Sequence, residues 1–88
     1  MDDQIKHTVK RFILDKFLPG ENPEELTDST PLITGGILDS IATLKLVAFL
    51  EEQYRIKFRP HDTDVEHLNT VSDITSLVQE KLDAGAAR

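Results

Sequence analysis

Six of the chain's eight proline and glycine residues fall between positions 19 and 38: Pro19, Gly20, Pro23, Pro31, Gly35 and Gly36. Proline lacks the amide hydrogen that a helix interior needs, and glycine loses the most backbone entropy on ordering, so no regular element crosses this stretch. What precedes and follows it must be separate elements, joined by a connection unusually long for an 88-residue chain. A loop of that length needs anchors, and Leu26, Leu32, Ile33 and Leu38 are the apolar residues placed to supply them. The Gly35-Gly36 pair permits a backbone turn that other residues resist.

On either side the apolar spacing is helical. Ile5, Val9, Phe12 and Ile13 predict a first helix over about 3–18, with Asp2 and Asp3 near its positive end. Pro19-Gly20 stops it, and Asn22-Pro23 keeps the chain from re-entering it. Asp39 is an N-cap for a second helix from Ser40 to about Tyr54. Residues 55–59 alternate and end at Pro60, which predicts an extended connector, with a brief helix near 62–67. Val71, Ile74, Leu77, Val78 and Leu82 mark a final helix capped by Thr70, with Asp73 in a capping-box-like position. The expected fold is all-α: a four-helix bundle of three longer helices and one short one, with a long loop between the first two. One domain is expected over 1–88, its core at about 3–83 and a fraying tail at 84–88.

Composition narrows the function. Sixteen acidic residues against ten basic ones give a formal net charge of −6, which disfavours nucleic acid. That acidity either serves solubility or steers the chain toward basic partner surfaces. Without cysteine there is no disulfide framework and no thiolate metal site. Five aromatic residues and no Trp argue against a deep aromatic-lined pocket. Charged residues interrupt positions 1–18, so no signal peptide is read there, and no stretch approaches transmembrane length. A cytoplasmic monomer that does not insert into membranes is expected.

The second helix carries two apolar stripes. Ala42, Thr43, Leu46, Val47, Phe49, Leu50 and Tyr54 form one wide face, enough to fill a small core. Ile41, Leu44 and Ala48 form another on the opposite side, bordered by Lys45, Glu51 and Glu52. Either the long loop covers this second strip, or it stays open as a docking surface for another protein.

At the head of that helix stands Gly35-Gly36-Ile37-Leu38-Asp39-Ser40-Ile41. With Asp39 as cap, the Ser40 hydroxyl lies in the first turn, where a phosphate ester would meet free amides and the positive end of the helix dipole. Asp-Ser before a helix is by itself an ordinary cap. Other constellations are weaker. Asp62-Thr63-Asp64 begins like a calcium loop, but His67 and Asp73 stand where glycine and glutamate are required. His61 and His67 are poorly spaced as metal ligands and read as a solvated acidic surface. No G-x-S-x-G elbow supports a hydrolase, and Gly35-Gly36 lacks a nucleotide-binding frame. Arg55, Lys57 and Arg59 either touch an anionic partner or form a solvated edge.

The frame around Ser40 carries a resemblance. Thr30-Pro31-Leu32, Gly36 to Ile41, Leu46-Val47, Leu50-Glu51-Glu52, Tyr54 to Phe58 and Thr70 to Ile74 closely resemble the acyl carrier protein family, over about residues 3–83. The resemblance implies that Ser40 is the serine to which a phosphopantetheinyl transferase, with magnesium, attaches 4'-phosphopantetheine from coenzyme A. It further implies a carrier and not an enzyme, holding acyl or aminoacyl cargo as a thioester and serving loading and transferring enzymes. Asp39 matches the acidic residue at transferase recognition. Ile41, Leu44 and Ala48 match the partner-facing strip, and Leu46 and Leu50 match core positions. Lys45 departs from the family, standing where carriers of housekeeping fatty acid synthesis usually have an acidic residue, which favours a specialised pathway. Asp39 departs from peptidyl carriers, which often have histidine there. The rival reading is an unmodified interaction module that uses the Ile41/Leu44/Ala48 strip.

Overall fold

The computed structural model describes residues 2–18, 20, 24 and 26–86. Four helices follow in chain order: α1 (Asp2–Phe17), α2 (Ser40–Tyr54), α3 (Val65–Leu68) and α4 (Val71–Ala86), with a 3₁₀ turn at Pro60–Thr63 before α3. No strand occurs among the described residues. The predicted all-α bundle is the observed one. Pro19 and Asn22-Pro23, read as the stop after α1, lie outside the described residues, as do the last two positions of the predicted tail. The final helix, which the apolar stripe marks over about Val71–Leu82, runs on to Ala86.

The core forms where helical periodicity puts it. Ile5, Val9 and Ile13 recur every four residues on α1 and are buried against Val71, Ile74, Leu77 and Val78 of α4. The α1–α4 contact is the broadest in the fold. From α2, Ala42, Leu46, Val47 and Leu50 complete the core, while Phe12 of α1 stacks on Phe49 of α2 with ring centroids 4.2 Å apart. Thr70 caps α4 as expected, its Oγ1 accepting from the Asp73 amide at 3.0 Å.

Leu26, Leu32 and Leu38 of the long connection are buried and Ile33 is half-buried, so all four expected anchors point inward. Two polar hubs fix its path. Asp28 receives Lys6 at 2.9 Å and Lys10 at 2.8 Å from α1, and its carbonyl accepts the Ser72 amide at the head of α4. Hydrogen bonds first from Lys10 and then from Lys6 hold the Asp28 carboxyl below its ordinary range. Asn69, between α3 and α4, accepts the Ile33 and Thr34 amides on its Oδ1 at 2.9 and 3.0 Å, and the Leu32 amide on its carbonyl at 2.6 Å. The Ile37 and Leu38 amides then close on the Leu32 carbonyl, each at 2.9 Å. Gly35 is required here, because a Cβ at that position would strike the Pro31 carbonyl, and Gly36 follows at φ +82°.

Beyond α2 the chain reverses through Arg55, whose φ of 54° is left-handed, a conformation that glycine usually supplies at a helix end. Glu51 holds the connector against the helix, its Oε2 accepting the Phe58 amide at 2.9 Å. Asp62 is buried, where its Oδ2 accepts the Arg59 amide at 2.8 Å and pairs with Lys81 of α4 at 2.7 Å. Lys81 also lies 5.4 Å from the centroid of the Phe58 ring. Asp62 thus ties the short-helix region to α4. No group of three or more His, Cys, Asp or Glu side chains among the described residues could hold a metal ion.

Candidate functional site

The architecture just described positions the head of α2. Asp39 sits in extended backbone at φ −88°, and its Oδ1 accepts the Ala42 amide at 2.7 Å, while its carbonyl takes the Thr43 amide at 2.9 Å. Asp39 is therefore the cap that the sequence predicts, and Ser40 is the first residue of the helix. Ser40 is exposed, and its hydroxyl makes no hydrogen bond among the described residues. The Ser40 and Ile41 amides precede the first intrahelical bond and face the same open end.

The second apolar stripe of α2 is uncovered. Ile41 is 65% exposed and Leu44 64%, and Ala48 and Lys45 are exposed beside them. Residues 26–38 of the long loop do not fold over them, because Leu26, Leu32 and Leu38 are drawn inward and the backbone is held on Asn69. Leu46 and Leu50, on the other face, have no exposure at all. The helix thus fills the core with one side and offers the other to solvent.

An open groove of about 650 Å³ adjoins Ser40, lined by the loop residues Ile33 and Leu38, by Asp39, Thr43 and Leu44, and by Thr63, Asp64 and Val65 across the gap. Val65, 44% exposed and the third large apolar side chain with high exposure among the described residues, joins Ile41 and Leu44 around the serine. Sequence reasoning places a short helix here but assigns Val65 no part. The only available signal is an apolar residue isolated between charged neighbours. Asp64 caps α3, accepting from the His67 amide at 3.2 Å and pairing with His67 Nδ1 at 2.6 Å. That pair pushes the His67 pKa up and the Asp64 pKa down, each chiefly through their mutual hydrogen bond. His61 is exposed, with Nε2 3.5 Å from Asp62 Oδ1. The two histidines therefore have different carboxylate partners.

Ser72 provides an internal comparison. It too is exposed and lies in the first turn of a helix, but the residue before it, Val71, is buried and the next, Asp73, is charged. Among the described residues, a helix head with a hydroxyl in its first turn thus occurs twice. The head with an apolar, solvent-facing strip and a groove beside it occurs at Ser40.

No protein-family profile matches the chain. Individual proteins do, along most of its length, and they are small carrier proteins. The acyl carrier protein of Phenylobacterium zucineum is 35% identical over 84 residues, which is 96% of this chain and all 100% of that protein. The acyl carrier protein of Chlamydia muridarum is 31% identical over 77 residues, covering 88% of this chain and 95% of that one. The D-alanyl carrier protein of Streptococcus suis is 31% identical over 80 residues, with coverage of 91% and 98%. The chain belongs to the acyl carrier protein family, and its role is that of a carrier. No helix among the described residues is long and apolar enough to cross a membrane.

Proposed function

We propose that the chain accepts 4'-phosphopantetheine on Ser40 and carries acyl or aminoacyl cargo between enzymes of a specialised pathway, without catalysing a reaction itself. The observation that carries this reading is an exposed, unbonded hydroxyl at the first position of α2, directly beside an uncovered apolar strip. The residues fit the group. A phosphate ester on Ser40 lies next to the free Ser40 and Ile41 amides and the positive end of the α2 dipole, both favourable to an anion. When bound, the group supplies a terminal thiol on which cargo is held as a thioester.

The chain's own residues present that attachment point. Asp39 fixes the first turn through its cap and stands beside Ser40 for recognition by a phosphopantetheinyl transferase acting with coenzyme A and magnesium. Ile41, Leu44 and Ala48 give loading and transferring enzymes an apolar grip, and Lys45 at its edge selects among them. A like charge facing Lys45 is unfavourable, so enzymes with basic docking patches, as in fatty acid synthesis, are expected to serve this carrier poorly. The chain acts as one carrier domain and as a cytoplasmic monomer under this reading.

The test is incubation with coenzyme A, magnesium and a promiscuous transferase, followed by intact mass. One phosphopantetheine is expected on the wild type and none on Ser40→Ala. An unchanged wild-type mass leaves an unmodified interaction module instead.

A further inference from the structure

Projected at 100° per residue, Ile41, Leu44, Lys45, Ala48 and Glu52 lie within an arc of about 100°. All five are exposed. The docking strip is therefore the upper part of a longer stripe that runs the length of α2, about 22 Å at 1.5 Å per residue. At its lower end the chain turns at Arg55 into residues 56–59, where Ile56 is buried and Phe58 half-buried while Lys57 and Arg59, like Arg55 at the turn, are exposed. The three cations thus face solvent around the lower end of α2.

The charge of this face opposes that of the molecule. Residues 40–59 hold four basic and two acidic side chains in a chain whose net charge is −6. One of the two acids, Glu51, is engaged by the Phe58 amide. Lys6 and Lys10 are paired with Asp28, and Lys81 with Asp62. Lys45, Arg55, Lys57 and Arg59 make no ion pair among the described residues.

We infer that the α2 stripe and the Arg55–Lys57–Arg59 ridge form one docking surface for a partner protein whose own patch is an apolar notch flanked by carboxylates. The inference rests on reading α2 as the docking side of a carrier. The apolar upper end sets the contact beside Ser40, and the cationic lower end fixes the direction in which the partner lies along the helix. Attraction between opposite patches raises the encounter rate and rejects partners of the wrong charge. An anionic bilayer fits less well. The molecule's net negative charge opposes approach to such a surface, and the exposed apolar residues stand at the far end of the stripe from the ridge.

The test uses the full-length ¹⁵N-labelled chain after transferase treatment, with holo formation scored by mass beforehand. Two amphipathic helical peptides, one of leucine and glutamate and one of leucine and lysine, are titrated at low salt and near neutral pH, followed by vesicles of phosphatidylcholine and phosphatidylglycerol. The glutamate peptide is expected to shift amides across 41–59 and to bind on the order of ten-fold more tightly than the lysine peptide. Physiological salt should weaken it. Lys57→Glu/Arg59→Glu should remove the preference without changing helicity, and Lys45→Glu alone should reduce it. Preference for the lysine peptide, shifts centred on Arg11 and Lys16 of α1, or binding to the vesicles alone overturns the inference. A chain that never becomes holo ends the carrier reading. A holo chain that prefers the lysine peptide ends only the present inference.

Discussion

Truncating one leucine on each face of α2 measures the division of that helix directly. Leu46 has no exposure, so Leu46→Ala removes fully buried atoms and leaves a cavity, a change that costs about 2–5 kcal/mol. A domain of this size has a total stability of roughly 4–13 kcal/mol, so the loss is a large fraction of it. A central value of about 3 kcal/mol corresponds to a fall in Tm of about 12–24 °C. Leu44 is 64% exposed. Full burial of a leucine contributes about 1.5–3 kcal/mol, and with only about a third of that realised, Leu44→Ala costs at most about 1 kcal/mol. Alanine's higher helix propensity offsets part even of that. Urea unfolding followed by far-ultraviolet circular dichroism resolves a gap of this size. In parallel, Leu44→Glu should retain wild-type helicity while losing transferase modification or cargo loading. Equal costs for the two alanine variants, or loss of helical signal in Leu44→Glu, would refute the two-faced helix and place Leu44 in the core.

Three further outcomes follow from the polar contacts. Asp62→Asn should destabilise the fold by about 2–3 kcal/mol at neutral pH, a deletion cost for a buried pair reduced because Lys81 retains some solvent. Lys81, and then the Arg59 amide, hold the Asp62 pKa below the ordinary value near 3.8. The advantage of wild type in chemical denaturation should therefore be full above that value and shrink as the pH falls below it. Asn69→Ala should strand the Ile33 and Thr34 amides at a cost of about 1–3 kcal/mol, seen as faster hydrogen exchange in 31–38 than in α1. The His67 ring should titrate above the ordinary histidine value in NMR, chiefly because of the Asp64 hydrogen bond, and Asp64→Asn should return it. Stability from His67 is full below its unfolded pKa and is lost as the pH rises through the folded one.

Local signals made most of the frame legible in the sequence. Asp39 announces the start of α2 because a cap acts within three residues, and the helical periods of α1 and α4 mark their buried faces. The leucines of the long loop could be picked as anchors because few other apolar residues lie near them. The exposure of the Ile41/Leu44/Ala48 strip was legible through the family resemblance but not through helical geometry alone, since it depends on where the loop packs. Contacts from Asn69, 36 residues from Ile33, and from Asp28, 22 residues from Lys6, decide that path, and no periodicity encodes them. Asp62 reads in sequence as one more surface acid beside Asp64, and only the fold brings Lys81 to it. Glu51 likewise reads as a border charge of the strip, whereas its carboxylate is taken by the Phe58 amide. Val65 gained significance only when α3 was found facing Leu44 across the groove.

Fragmentation of the intact modified chain shows which serine bears the prosthetic group. The sequence has four serines, Ser29, Ser40, Ser72 and Ser76, and all four are exposed, so accessibility alone does not choose among them. The added mass is expected wholly on fragments containing Ser40. Mass on Ser72, the other serine in the first turn of a helix, or no added mass under permissive labelling, would contradict this.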